Sequence, residues 1–503
     1  MSTHLSESTQ TTETHSVSRR NFIRSGALLA AGLAIGLPWF GGCTKSRHEL
    51  EAIWNELAGK LQGTLLRPNY SGFREKAAPW ALQYNNVLPL GIASCVSAQD
   101  VQTCILWARK YGIPLVARSG GHSYGGYSTT TGLMIDVSPM NQVTYNSAQR
   151  LLTAGGGARN KNVFAAGKQH QVAITHGRCF EVGVAGLTLG GGIGFDMRRN
   201  GYTCDKLVET EVVLANGEII TCNEKNHPDL FWACRGGGGG NFGIHTSFTF
   251  KAFPVGQITV FNIEWEQNIE QLLLASQTII ATAPRELGMK LGVTATRTPN
   301  GNKLKLYVLG SYEGSKEELM KLLSPMISIP KPKYIALKET PYWDGQELIS
   351  EEGEPEWMHE RSRFVRGYLS LNAIDTIINN LKKWPGTSVA ATWKFFLLGG
   401  AVDEKKPTDM AMVHRGYTML SSIDLEWSPA DSNSVVAENE HWLSSFHQQM
   451  APHTSAHCYQ NFIDPSQQDY LQAYYGQNLE KLREVKRKYD PGNVFTYAQG
   501  IPA

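Results

Sequence analysis

The sequence predicts an α+β protein: glycine-rich helix–strand units, then a second, sheet-based domain, then a charged terminal helix. Three observations carry that prediction. Helix-like and strand-like stretches alternate in the first half of the chain. The glycines cluster at 120–126, 155–157, 183–194 and 236–243, and the clusters stop near Lys251. From there to about residue 450, tryptophans and alternating apolar residues take over ("KLKLYVLGSY", "ATWKFFLLGG"). With 503 residues, 42% hydrophobic and 18% charged, the composition is globular and the length suffices for about two or three cores. The formal net charge of +2, without a basic stripe interleaved with aromatics, argues against a nucleic-acid partner.

Taken in order, the chain opens with a segment outside the fold. Residues 1–17 are polar and Ser/Thr-rich, and "SRRNFI" (Ser18–Ile23) precedes the apolar stretch Gly26–Phe40, which is short for a membrane span. Together they resemble a bacterial twin-arginine export signal over residues 1–43. That route carries folded proteins, which suits a chain that takes up a cofactor before export. The expected location is the periplasm or cell envelope. "FGGC" ending at Cys43 resembles a lipoprotein cleavage site with Phe40 where leucine is usual, so a lipid anchor on Cys43 stays open. Membrane contact is expected only through this segment.

Val101, Cys104, Ile105 and Ala108 then share a helical face after Asp100, a residue suited to an N-cap. Gly112 and Pro114 close that helix before an apolar strand, Ile113–Ala117. The next stretch, "RSGGHSYGG" (Arg118–Gly126), sets a histidine and a tyrosine among Gly120, Gly121, Gly125 and Gly126. Glycine lets the main chain present bare N–H groups to a ligand, so a strand running into this loop predicts an anion cradle. "LMIDVS" (Leu133–Ser138) is a further strand, and "TEVVLANGEIITC" (Thr210–Cys222) is a hairpin turning on Asn216-Gly217. Near the end, "YYGQNLEKLREVKRKYDPGNVF" is a charged amphipathic helix stopped by Asp490-Pro491-Gly492.

A second glycine cluster, "GRCFEVGVAGLTLGGGIGF" (Gly177–Phe195), is neither a dinucleotide-binding GxGxxG nor a P-loop. The eight cysteines, at 43, 95, 104, 179, 204, 222, 234 and 458, include no CxxC pair. Zinc and iron–sulfur centres are therefore not expected, no metal site is predicted, and disulfide pairing stays open.

"RSGGHSYGG", the Gly177–Phe195 cluster and "YDPGNVFTYAQGIP", in this order, closely resemble the berberine-bridge-enzyme-like branch of the vanillyl-alcohol-oxidase flavoprotein superfamily. The resemblance is specific over roughly residues 85–254 and 455–503 and looser between them. It implies a PCMH-type FAD-binding domain of two α/β subdomains (44–254), an antiparallel-sheet substrate domain covered by helices (255–454), and a C-terminal segment (455–503) returning to the first domain. It also implies FAD held by two covalent bonds, His122 to the 8α carbon and Cys179 to C6, links that raise the flavin's potential and fix its ring. Cofactor contacts would come from Arg118, Ser119, Gly120, Gly121 and Ser123, and from Gly183, Val184, Gly186, Gly190, Gly191 and Gly192. "HCYQNFIDP" (His457–Pro465) matches the family's aromatic-Asn motif. That makes Tyr459 the expected base, Asn461 its companion beside the cofactor, and Tyr124 a second active-site tyrosine.

The sequence also departs from the family. Leu187 stands where plant members have histidine and Ile193 where many members have tyrosine, and the strand Trp393-Lys394-Phe395-Phe396 lacks the carboxylate of the carbohydrate oxidases' polar set, which predicts a less polar pocket. The expected activity is an exported oxidase that takes hydride from an alcohol or hemiacetal carbon of a sugar, glycoside or secondary metabolite. Oxygen is the expected acceptor, giving hydrogen peroxide, because the small Val182 resembles the oxygen-permissive members. The alternatives are a dehydrogenase using another acceptor and a non-catalytic flavin-binding lipoprotein.

Overall fold

The computed structural model describes residues 47–329 and 331–503, so the export segment 1–43, with Arg19, Arg20 and Cys43, lies outside the described residues. The chain divides into a unit ending at Glu56 and a second, Leu57–Ala503. A helix, Arg47–Ala58, begins in the former.

In the second unit, β1 (Thr64–Leu66), β2 (Gly91–Ser94), β3 (Leu115–Arg118) and β4 (Leu133–Asp136) form a sheet ordered β1-β2-β4-β3. β2 and β3 run parallel to β4, and all four residues of β2 and of β4 are buried. The expected helix is Ala98–Tyr111, but it begins three residues earlier than its apolar face suggested. Its cap is Ser97, whose Oγ accepts from Asp100 N at 3.2 Å. Asp100 instead turns its carboxylate to the amides of Gln62, Gly63 and Val96, at 2.7, 3.0 and 3.0 Å. Gly112, at φ 64°, ends the helix as its left-handed cap.

Next come β5 (Val143–Asn146), β6 (Leu151–Gly155), the short β7 (Val172–Ala173), β8 (Leu207–Val213), β9 (Ile219–Asn223), β10 (Ile244–Lys251) and β11 (Phe253–Pro254). Five of these make an antiparallel sheet, β5-β6-β10-β8-β9, in which the expected hairpin is β8–β9.

The third sheet contains β12 (Gln257–Trp265), β13 (Leu287–Thr298), β14 (Gly301–Tyr312), β15 (Tyr334–Pro341), β16 (Trp357–Val365), β17 (Ala390–Leu397) and β18 (Met419–Trp427). Its order is β15-β12-β14-β13-β17-β18-β16, and every pairing is antiparallel. Successive side chains on a strand point to opposite faces. Leu291, Val293, Leu306, Val308, Phe395 and Ile423 share a buried core with Leu272, Leu323, Ile377 and Phe446 from helices Ile269–Thr282, Lys316–Ile327, Leu371–Lys382 and Asn433–Met450. The alternate positions put Lys290, Lys394, Asp424 and Glu360 on the other face. The α+β class is thus the one expected.

The chain then returns to the first sheets. Helix Leu479–Tyr489 buries Leu482 and Val485 in the core shared with β6, β8 and β10. Lys486, with no exposed side-chain surface, donates to Asn241 O, Asp490 Oδ2 and Phe495 O at 2.7, 2.7 and 2.6 Å.

Candidate active site

β3 delivers the chain straight into the first glycine loop. Gly121 sits at φ 78°, where a side chain would be strained, and a β-carbon on Gly120 would collide with the amide of Gly183. The two predicted loops touch because neither carries a side chain there. Among the described residues, none of the backbone N–H groups from Ser119 to Tyr124 donates to another backbone group, and the buried Ser119 Oγ meets no partner. A cavity of about 350 Å³ lies against them, lined by Ser119, Gly120, Gly121, His122, Ser123, Tyr124, Gly183 and Gly186 among others. β-Carbons on Gly186 and Gly239 would meet nothing closer than 3.9 Å, so the cavity wall there is bare main chain. Unpaired amides, an orphaned hydroxyl and open glycine walls fit a phosphate-bearing cofactor such as FAD.

Two predicted residues stand back from that wall. Arg118 is buried and donates to the carbonyls of Ser128, Ala78 and Ala77 at 2.9, 2.8 and 3.0 Å, which fixes the loop's base without lining the cavity. Val184 is likewise absent from the lining; its amide donates to Ala158 O at 2.9 Å.

His122 and Cys179 come together under one strap. A β-carbon on Gly353 would collide with Cys179 Sγ and stand 3.4 Å from His122 Cε1. The strap is pinned on both sides: Phe180 N donates to Glu351 O at 2.9 Å, Glu351 N to Arg178 O at 3.2 Å, and Trp80 Nε1 to Gly353 O at 3.1 Å. Burial, reinforced by the charge of Arg159, pushes the His122 imidazole down to about 3, so it is neutral and one of its ring nitrogens keeps a nucleophilic lone pair. Burial raises the Cys179 thiol, opposed by the amides of Glu181 and Val182. Trp80 stacks on both His122 and Tyr124, at 5.1 and 5.3 Å between centroids, and Phe462 covers the other face of Tyr124 at 5.7 Å. Trp80 and the Gly353 strap had no sequence signal: each is a loop residue without a motif around it.

Tyr459 lines the same cavity with its ring buried. Its phenol oxygen accepts from Gly192 N and from Asn461 Nδ2, both at 3.0 Å. Burial pushes the phenol above its ordinary value, while these two donors favour the phenolate and pull the other way. Asn461 Nδ2 also donates to Leu187 O at 3.0 Å, tying the tyrosine to the second glycine cluster. Gly190, Gly191 and Gly192, expected beside the cofactor, pack against Tyr459, Asn461, Met412 and Thr203. None of the three lines the cavity, and β-carbons on them would strike Asn461, Met412 and Thr203. The triplet is glycine so that the turn can fit beneath Asn461 and aim the Gly192 amide at Tyr459. Leu187 and Ile193, the departures, both line the cavity.

The far wall belongs to the charged face of the third sheet. Lys290 and Lys394 line the cavity, and Lys394 closes on Asp424, with Glu360 at 3.3 Å. Burial and the neighbouring Asp424 raise Glu360 to about 7. Lys290 and Lys394 add two cations to this wall, while Asp424 and Glu360, which pair with Lys394, do not line the cavity. Reading β17 alone misses carboxylates that arrive from β16 and β18, because in the sheet Thr392 pairs with Asp424 and Asp424 with Glu360.

Residues 89–223 match the family model described as "FAD binding domain" and residues 458–502 the one described as "Berberine and berberine like". An uncharacterized FAD-linked oxidoreductase of Bacillus subtilis is 34% identical over 420 residues, covering 82% of this chain and 90% of its own. Among solved structures, the BBE-like 1 protein of Physcomitrella patens superposes with a TM-score of 0.80 at 26% identity, covering 89% of this chain and 98% of that one. The glucooligosaccharide oxidase of Acremonium strictum, with its 6-S-cysteinyl, 8α-N1-histidyl FAD, gives 0.80 at 26% identity, covering 90% of this chain and 99% of that one.

Proposed function

The chain belongs to the berberine-like family of FAD-linked oxidoreductases, and from that premise we propose that it is an exported oxidase of sugars, with dioxygen as electron acceptor and FAD attached through His122 and Cys179. The observation that carries the reading is the placement of Tyr459 Oη, held by two N–H donors, in the same cavity as those two side chains. Bound FAD supplies the hydride acceptor.

The chain's own residues do the rest. The main-chain amides of Ser119–Tyr124 and the Gly183 loop bind the cofactor's phosphates. Tyr459 Oη takes the proton of the sugar hydroxyl while Gly192 N and Asn461 Nδ2 stabilise the phenolate needed for it. The hydroxyl carbon loses one hydride and one proton and becomes a carbonyl, or a lactone where it was a hemiacetal. The aromatic wall of Tyr124, Phe396 and Phe462 offers faces on which a sugar ring can stack. Dioxygen takes up the two electrons and two protons as hydrogen peroxide, a reading supported by the small Val182 on the cavity wall next to Cys179.

The test is a panel of saccharides, aromatic alcohols and alkaloids scored two ways: bleaching of the yellow protein without oxygen, and peroxide release under air. Sugars are expected to give both. Bleaching without peroxide makes the protein a dehydrogenase with another acceptor, and no bleaching by any saccharide overturns the reading.

A further inference from the structure

Three cations border the substrate side of the cavity: Arg178, Lys290 and Lys394. Two of them already have carboxylates. Arg178 pairs with Glu351, and Lys394 with Asp424 and Glu360. Lys290 is different. Among the described residues no carboxylate and no hydrogen-bond acceptor meets its ammonium, although its side chain is only 9% exposed. What it has instead is aromatic: the Tyr307 and Phe396 rings, 5.7 and 5.6 Å from its nitrogen.

The position of that ammonium relative to the chemistry is also fixed. Phe396 packs on Phe462 at 6.1 Å between centroids, and Phe462 packs edge-on against Tyr459 at 5.1 Å. Lys290 therefore stands two aromatic rings away from the base, along the wall on which a sugar would lie. The nearby acids do not make this a site for a cationic sugar, because Asp424 and Glu360 close on Lys394 and do not line the cavity.

Resting on the oxidase reading above, we infer that the preferred substrate is a saccharide carrying a carboxylate, a uronic acid unit, whose anionic group docks on Lys290 at the end remote from the oxidised carbon. A buried ammonium without a counter-ion is an unfavourable state, and an arriving carboxylate relieves it. Burial and the charges of Arg178 and Lys394 push the Lys290 ammonium below its ordinary value, partly offset by Asp424 and Glu360, and a docked carboxylate acts in the same direction as these two acids. One uncompensated positive charge matches a carboxylate better than a phosphate dianion.

The experiment measures kcat/KM of the flavin-loaded protein for digalacturonate and D-glucuronate against the neutral cellobiose and D-glucose, with D-glucose 6-phosphate as the phosphate arm. The acidic sugars should lead their neutral counterparts by about tenfold or more, the worth of one charge-assisted hydrogen bond. Lys290→Met should collapse that ratio, and Lys290→Arg should keep it. A wild-type ratio near one, or a ratio indifferent to Lys290→Met, overturns the inference while leaving the oxidase reading intact. Preference for the phosphate ester over glucuronate overturns the carboxylate assignment. If no saccharide bleaches the flavin, the oxidase reading fails. Binding of digalacturonate, followed by tryptophan fluorescence, then decides this inference: binding weakened by Lys290→Met upholds it, and no binding sinks it.

Discussion

Tyr459 Oη meets two N–H donors, Gly192 N and Asn461 Nδ2, and each contact can be tested separately from packing. Tyr459→Phe keeps the ring and removes the proton acceptor, so flavin reduction by sugar should slow by about 10²–10⁴. Stability should change only by about one hydrogen bond, ~1 kcal/mol. Stopped-flow bleaching and a denaturant titration measure the two effects, and a rate loss with no such separation from stability would make the tyrosine structural. Asn461→Ala removes one donor to the phenolate, so the pH at which the reductive rate rises should move upward. A profile that stays in place would show that Asn461 does not tune the base. At the other edge of the cavity, flavin should remain with the protein through trichloroacetic acid precipitation. It should persist in both His122→Ala and Cys179→Ala and be released only when both are changed; complete release from the wild type would remove both tethers. His122, Cys179 and Tyr459 were legible because each sits inside a short motif whose neighbours are glycines or amides with one evident use. Lys290 was not. A lysine in an alternating strand is ordinarily solvated, and only the register across β13 and β17 turns this one toward a cavity.

The turn Gly190–Gly192 shows what a short element contributes that its sequence conceals. Gly191 and Gly192 have φ of 113° and 86°, and the absent β-carbons leave room for Met412 and Thr203. Gly192→Ala should cost about 1–3 kcal/mol in strain and shift the amide that serves Tyr459, so loss of activity should accompany a lower unfolding midpoint. Full activity with unchanged stability would contradict the geometry. A row of glycines beside a cofactor motif suggests direct contact, whereas here Gly192 N donates to Tyr459 Oη, a link that needs the partner 267 residues away. Local signals did better where the element is local: the Asn216-Gly217 hairpin and the Leu479–Tyr489 helix formed as expected. The helix Ala98–Tyr111 began early because Ser97 outcompetes Asp100 as its cap, Asp100 being drawn to three amides of neighbouring segments. The strand order of the third sheet, with β16 beyond β18, follows from long-range packing that no single stretch announces.

At the scale of the whole molecule, His359 ties the third sheet to the helix Asn433–Met450 and to the returning segment, contacting Glu440 Oε2 at 2.8 Å and Asp464 Oδ1 at 3.0 Å. Burial works against its charge, but the two carboxylates prevail and raise it to about 9. Unfolded, it would titrate near ~6.5. Its folded value being the higher one, the stability it contributes is fully present below about 6.5 and is lost as pH rises through about 9. The urea midpoint should fall across that interval, and His359→Gln should flatten the slope; an equal slope in both would assign the loss to other groups. Export is a further prediction for the entire chain: Arg19 and Arg20 changed to Lys should leave the precursor in the cytoplasm, and undiminished export would refute the twin-arginine reading. The returning segment has one more consequence, for the order of events during synthesis. The glycine cradle is complete once residues 119–243 have left the ribosome, but Tyr459, Asn461 and Phe462 follow only after the entire third sheet. Until then the nascent chain presents an open, apolar half-cavity, exposed to aggregation and able to hold a flavin without protecting it. Chaperones that engage this chain should therefore let go late, and ribosome-stalled fragments ending before residue 459 should capture flavin that dissociates readily.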